Sequence, residues 1–237
     1  MSIQDKVVLI TGATGGLGPT VIRQAADAGA YLALTARRLE ALHELARELA
    51  LPAERILLHP ADLSVPAEVQ ALVDAVIARW GGIDVLLNIA GGWMGGKRLG
   101  DLPIEDWDAA MHMNLRSAFL INRAVLPSMQ ERGWGRIINM GSRSAVDPGT
   151  RQAQYNVSKA GVVALTQSVA NDYRRKGITA NVILPSIIDT PDNRRQTPDA
   201  DFSRWVKPED LAELMLYLCT DAAGSITGAA IPVYGGM

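Results

Sequence analysis

The chain has 237 residues, 48% hydrophobic and 20% charged, with 23 basic side chains against 25 acidic ones and a formal net charge of −2. That length suits one α/β domain with a substantial core, and the balanced charge argues against nucleic acid or an anionic membrane surface as a partner. The single cysteine, Cys219, excludes an internal disulfide and reads as a small buried hydrophobe suited to a reducing compartment.

No targeting segment is expected. Met1 to Lys6 lead into an apolar run of only Val7 to Ile10, too short for a signal-peptide core or a membrane span, so a soluble cytoplasmic protein is anticipated. Val7 to Ile10 reads as a strand buried on both faces, since its apolar run is unbroken. A glycine-rich turn follows, then a helix over about 17–28 that Gly29 terminates. Residues 31–35 are predicted as the second strand, 39–50 as a helix and 56–58 as the third strand. A helix from Pro66 to about Trp80 and a strand at 85–87 come next.

The second half repeats the rhythm. One long helix is predicted over roughly 107–131, kinked or shortened by Pro127, with Met111 and Met113 in its core-facing stripe. Strands at 137–140, 180–184 and 230–234 alternate with helices at 152–176 and 208–219. Segment 189–205, polar and interrupted by Pro191 and Pro198, is the least regular and would cover a ligand at the strands' carboxyl ends. Strands alternating with helices imply a doubly wound α/β fold of the Rossmann type, a mostly parallel sheet of about seven strands. No linker or repeat divides it, so residues 1–237 read as a single domain.

Thr11-Gly12-Ala13-Thr14-Gly15-Gly16-Leu17-Gly18 lies between the first strand and first helix. Glycines there admit a pyrophosphate close to the backbone, and the helix start offers free N–H groups and a positive dipole end. The residue after the second strand selects between cofactors, an acid accepting the ribose 2′-hydroxyl. This chain has Ala36-Arg37-Arg38, and an Arg can meet a 2′-phosphate with a charge-assisted fork, which favours NADP(H) over NAD(H). The alternative is that Arg37 and Arg38 are a solvated pair at a helix start.

The Gly-x3-Gly-x-Gly spacing resembles the short-chain dehydrogenase/reductase family, and the resemblance extends over almost the whole chain. It implies that Gly12, Thr14, Gly15, Gly16, Leu17 and Gly18 hold the phosphates and that Asp62 and Leu63 meet the adenine. Asn88-Ile89-Ala90-Gly91 is similar to the family's Asn-Asn-Ala-Gly element, so Asn88, Ala90 and Gly91 are cofactor-binding candidates. Pro185, Ile188 and Thr190 fall on the nicotinamide side, with Ser186 where the family usually has Gly.

Tyr155 and Lys159 stand four apart near the start of a predicted helix, on one face. A nearby ammonium lowers a phenol pKa from about 10, and reaching about 7 requires roughly 4 kcal/mol. The resemblance assigns Tyr155 to proton transfer, Lys159 to tuning it and holding the ribose, Ser142 to the substrate oxygen and Asn114 to a relay near the lysine. The implied reaction is hydride exchange between a nicotinamide cofactor and a small carbonyl or alcohol.

Two stretches, 90–96 and 189–205, resemble quinonoid dihydropteridine reductases, with Trp93 as a substrate-stacking candidate or, alternatively, a packing anchor for its glycine loop. Arg194-Arg195 reads as a solvated face or a partner for an acidic substrate. His43, His59 and His112 lack metal-ligand spacing, so no metal is expected. A non-catalytic dinucleotide-binding redox sensor is the competing reading, since a fold does not fix a function. The resemblance also implies a homodimer or homotetramer through the two long helices.

Overall fold

The computed structural model describes residues 3–236. Strands β1 (Val7–Thr11), β2 (Tyr31–Thr35), β3 (Ile56–Leu58), β4 (Val85–Asn88), β5 (Gly135–Met140), β6 (Ile178–Pro185) and β7 (Ala230–Val233) form one parallel sheet in the order β3-β2-β1-β4-β5-β6-β7. Every ladder is parallel, so each crossover is a helix or a long loop returning over one face.

Alternation along the strands feeds two cores. Val8 and Ile10 of β1 point to one face, with Leu32, Val85, Leu87 and Ile138. They bury against α1 (Gly18–Asp27), α2 (Leu39–Glu48) and α8 (Pro208–Leu218), through residues such as Ile22, Leu42 and Met215. Val7 and Leu9 point the other way and meet α3 (Pro66–Trp80), α5 (Ser117–Arg132) and α6 (Ala153–Tyr173), through Leu72, Ile121 and Val169. Cys219 is buried in the first core, and burial pushes its thiol up to about 12. No helix among the described residues is long and apolar enough to cross a membrane.

The predicted long helix differs in detail. It begins earlier, as α4 (Ile104–Ala110), passes through a π-helical turn at Met111–Arg116, and continues as α5 through Pro127 to Arg132. Met113 lies on that π-helical turn and is exposed, not core. Segment 189–205 is also more ordered than expected, holding the short helix α7 (Pro191–Gln196) and a 3-10 turn at Phe202–Arg204.

Strand order reverses between β1 and its neighbours β2 and β4, which opens a crevice above the carboxyl ends. The loops after β1, β4, β5 and β6 all converge there.

Candidate active site

The loop after β1 is shaped by close approach. Gly12 has φ +67°, and a Cβ on it would lie 2.9 Å from the Ala90 backbone; one on Gly18 would lie 2.0 Å from the Ala13 carbonyl oxygen. The Gly15 and Gly18 amides are spent inside the turn, on the carbonyls of Gly12 and Gly15 at 3.0 and 2.9 Å, whereas the Gly16 and Leu17 amides have no partner among the described residues. With Thr14, Gly15 and Gly16 exposed at the start of α1, this cradle fits a pyrophosphate.

The turn is braced from below. Thr11 Oγ1 donates to Asn88 Oδ1 at 2.7 Å and accepts from the Ala90 amide at 3.2 Å. Asn88 Nδ2 donates to Asn139 Oδ1 at 2.9 Å, and Asn139 bonds on to Asn122 and Thr166. The buried Asn88 side chain is therefore occupied inside the sheet. Through Thr11 it braces the loop carrying Ala90 and Gly91.

Beyond β3, Asp62 Oδ1 accepts from the Ser64 hydroxyl and amide at 2.7 and 2.8 Å. Those bonds, with a further contribution from Arg37, hold its carboxyl below the usual range. Leu63 beside it is buried. Arg37 and Arg38 are exposed and neither forms an ion pair among the described residues.

A cleft of about 930 Å³ runs from the glycine turn past Gly91, Ser142, Tyr155 and Lys159 to Thr190. Ser142 follows β5, and its Oγ accepts from the Ser144 amide at 3.1 Å. Tyr155 lies in the first turn of α6; burial pushes its phenol up and a hydrogen bond with Ser142 pulls it down. Lys159 stands one turn on, buried, its Nζ donating to the Met140 carbonyl at 2.9 Å and lying 5.9 Å from the Tyr155 ring centre. Burial brings its pKa down to about 8. Asn114, on the π-helical turn, accepts from the Gly92 amide at 3.0 Å and donates to the Gly92 carbonyl and Ser158 Oγ at 3.1 and 3.3 Å. Asn114 Oδ1 and Lys159 Nζ both flank Gly91, at 2.7 and 3.2 Å from where a Cβ would stand.

Residues 6–201 match the family model described as short chain dehydrogenase. The chain belongs to the short-chain dehydrogenase family. The D-beta-hydroxybutyrate dehydrogenase of Rhizobium meliloti (strain 1021) is 33% identical over 253 residues, with 98% of each chain covered. The D-threitol dehydrogenase of Mycolicibacterium smegmatis (strain ATCC 700084 / mc(2)155) is 32% identical, covering 99% of this chain and 93% of its own. Among solved structures, L-sorbose reductase from Gluconobacter frateurii, complexed with NADPH and L-sorbose, superposes with a TM-score of 0.91 at 31% identity, covering 100% of this chain and 98% of the other.

In this short-chain dehydrogenase the loop after β6 closes the cleft. Pro185 ends β6, and Ser186 Oγ donates to the Tyr234 carbonyl at 2.8 Å, fastening the loop to the segment after β7. Ile188 bridges to Val206, and its carbonyl accepts from Thr190 N and Asn193 Nδ2 at 2.9 and 2.8 Å. Thr190 is buried, caps α7 and packs against Gly16. Arg194 is committed to a two-point bridge with Asp189 and lies over the Phe202 ring; Arg195 pairs with Asp192. Of the two readings of these arginines, a solvated face or a partner for an acidic substrate, their exposure and their carboxylate partners favour the first.

Trp93 is 60% exposed on the cleft, and its Nε1 donates to Gln152 Oε1 at 2.8 Å. The sequence reading missed Gln152, which stands just before α6 and three residues before Tyr155. It also missed the Met140 carbonyl that receives Lys159, since backbone acceptors carry no residue signature.

Proposed function

We propose that this short-chain dehydrogenase interconverts a small carbonyl compound and its alcohol with an NAD(P)(H) cofactor and a Ser142–Tyr155–Lys159 proton-transfer set. The observation that carries this reading is the convergence of those three side chains in one cleft with the glycine cradle. When bound, the nicotinamide supplies or accepts hydride. The amides of Gly16 and Leu17 would hold its pyrophosphate, Asp62 and Leu63 its adenine end, and Lys159 its nicotinamide ribose. Gly91, Pro185, Ile188 and Thr190 would wall the nicotinamide.

The residues then divide the work. Tyr155, kept protonated by burial, gives its proton to the carbonyl oxygen. Ser142 Oγ fixes that oxygen beside the phenol. Lys159, charged below about pH 8, stabilises the phenolate left behind. Asn114 positions the Gly92 loop against Lys159. Ser142 favours a carbonyl over a quinonoid dihydropterin, in which the reduced bonds are C=N and the ring carbonyl does not react; the exposed Trp93 face is what keeps the pterin as a second substrate to assay.

Arg37, exposed and in no ion pair among the described residues, supports a preference for NADPH. The protein should turn over carbonyl compounds faster with NADPH than with NADH, and Arg37→Asp should reverse the order of kcat/KM. Tyr155→Phe should cut turnover by about 10²–10⁴-fold while calorimetry finds cofactor affinity nearly intact. Unchanged signalling of cofactor binding with no turnover in the parent protein would favour the redox-sensor reading instead. A cytoplasmic location and a homodimer or homotetramer built on α5 and α6 complete the proposal.

A further inference from the structure

The substrate end of the cleft has a particular chemistry. Trp93, on the loop after β4, and Gln152, at the start of α6, reach across from opposite sides and bond at 2.8 Å. A second link, Gly96 N to the Arg151 carbonyl at 2.7 Å, joins the same two segments. Two glycines make the contact possible. A Cβ on Gly95 would lie 2.5 Å from the Trp93 ring, and one on Gly149 would lie 2.5 Å from Gln152 Nε2. Gln152 Nε2 donates to Ser144 Oγ and Asn156 Oδ1, both at 3.0 Å, so both ends of its amide are fixed. The indole is thus a rigid platform with an open face.

Apart from the Lys159 ammonium that serves Tyr155, the charged side chains of this cleft are already paired. Arg143, next to Ser142, is tied to Asp147 through two nitrogens at 2.8 and 2.7 Å and lies over the Tyr234 ring. Asp192 pairs with Arg195, and Lys159 is bound to a backbone carbonyl. The rest of the lining mixes apolar side chains, Pro148 and Ile187 among them, with the neutral polar groups of Ser144, Asn193, Gln196 and Thr197. A carboxylate substrate would have to break the Arg143–Asp147 pair, and a long acyl chain would cover amides and hydroxyls it cannot satisfy, whereas a polyol has C–H faces for the apolar side chains and hydroxyls for the polar ones.

We propose that the substrate is a neutral, polyhydroxylated ketone or the matching polyol, its C–H face on Trp93 and its hydroxyls on the surrounding amide and hydroxyl groups. The inference rests on the carbonyl–alcohol reading above and adds the substrate class. Gln152 is a positioning residue that holds Trp93.

The test compares three ketones of four to six carbons with the full-length protein and NADPH or NADH: a ketose, an anionic 3-oxo acid and an unsubstituted alkanone, with a quinonoid dihydropterin as a fourth arm. The ketose should lead in kcat/KM by about tenfold or more, because a site built around hydroxyl groups discriminates against compounds lacking them. Trp93→Ala and Gln152→Ala should each raise the ketose KM several-fold more than they lower kcat, and calorimetry with the polyol should register the same weakening. Gln152→Glu, which keeps the acceptor for Trp93 Nε1, should restore part of it. Preference for the oxo acid, the alkanone or the pterin overturns the inference while leaving the oxidoreductase reading standing. Turnover of no ketone at all, with cofactor binding intact, removes the carbonyl reading and this inference together.

Discussion

Tyr155 and Lys159 are pushed in opposite directions by one cause. Burial favours the neutral form of each, raising the phenol and lowering the ammonium to about 8. At neutral pH the couple is therefore a protonated phenol beside an ammonium, the state that carbonyl reduction needs. As pH rises through about 8 the ammonium loses its charge and with it the stabilisation of a developing phenolate. The pH profile of kcat/KM for reduction should show a falling limb near 8, and Lys159→Met should remove that limb as well as slow the reaction. A limb that stays in place in the variant would exclude Lys159 as its source. Stability carries the same signature with a definite sign. Unfolded, Lys159 keeps its proton to about 10.5; folded, it gives it up near 8, so the unfolded state binds more protons in between and stability rises with pH. Urea unfolding of the cofactor-free protein at pH 8 and 10 should show wild type gaining about 2 kcal/mol relative to Lys159→Met. Below about pH 8 both states hold the proton and the difference should be flat.

Among the elements, the π-helical turn at Met111–Arg116 has the clearest consequence. A widened turn re-aims its side chains, and here it points buried Asn114 at the Gly92 peptide and Ser158. Ser117 Oγ donates to the Met113 carbonyl at 2.6 Å and satisfies a group in that turn. Asn114→Ala removes three hydrogen bonds from a partly buried site. It should cost about 1–3 kcal/mol in thermal or urea unfolding and lower kcat at least tenfold, with cofactor affinity moving less. An equal fall in kcat and cofactor affinity would mean that Asn114 serves the cradle and not the Lys159 neighbourhood. The sequence carried no sign of this turn, because a π turn changes hydrogen-bond register without altering composition or apolar spacing. Features set by neighbours in sequence were legible: the glycine spacing, the Tyr155–Lys159 interval, and the strand–helix alternation that dictates a parallel sheet. Features set by contacts across the fold were not. The bracing of Asn88 by Thr11 and Asn139 cannot be read from its motif. Arg194 reads as a free cation until Asp189 and Phe202 surround it. Gln152 has no role until the glycine loop brings Trp93 over it.

For the whole molecule, sheet order places every loop of the cleft on one edge and leaves the outer faces of α4, α5 and α6 uncovered. Ile104, Met113, Phe119 and Val157 are exposed on those segments. A groove of about 550 Å³ between α3, α5 and α6 is lined by Val73, Ile77, Phe119, Leu126, Leu165 and Tyr173. Scattered exposed apolar side chains are ordinary; an exposed Phe119 at a groove with apolar walls along two long helices fits the proposed surface for another chain. A second copy meeting α5 and α6 through a two-fold axis would pair the patch with itself, since such an interface uses the same surface twice. It would also stiffen α6, whose first turns carry Gln152, Tyr155 and Lys159. Sedimentation velocity at micromolar concentration should therefore find a dimer or tetramer. The double variant Phe119→Glu/Leu165→Glu should sediment as a monomer, because two like charges would then oppose their own copies in an apolar groove. Both positions lie outside the cleft, so cofactor affinity of the monomer reports whether the fold survived. A monomer that still binds cofactor but reduces ketones poorly would show that assembly supports the α6 side chains. A wild-type protein that sediments as a monomer would rule the interface out.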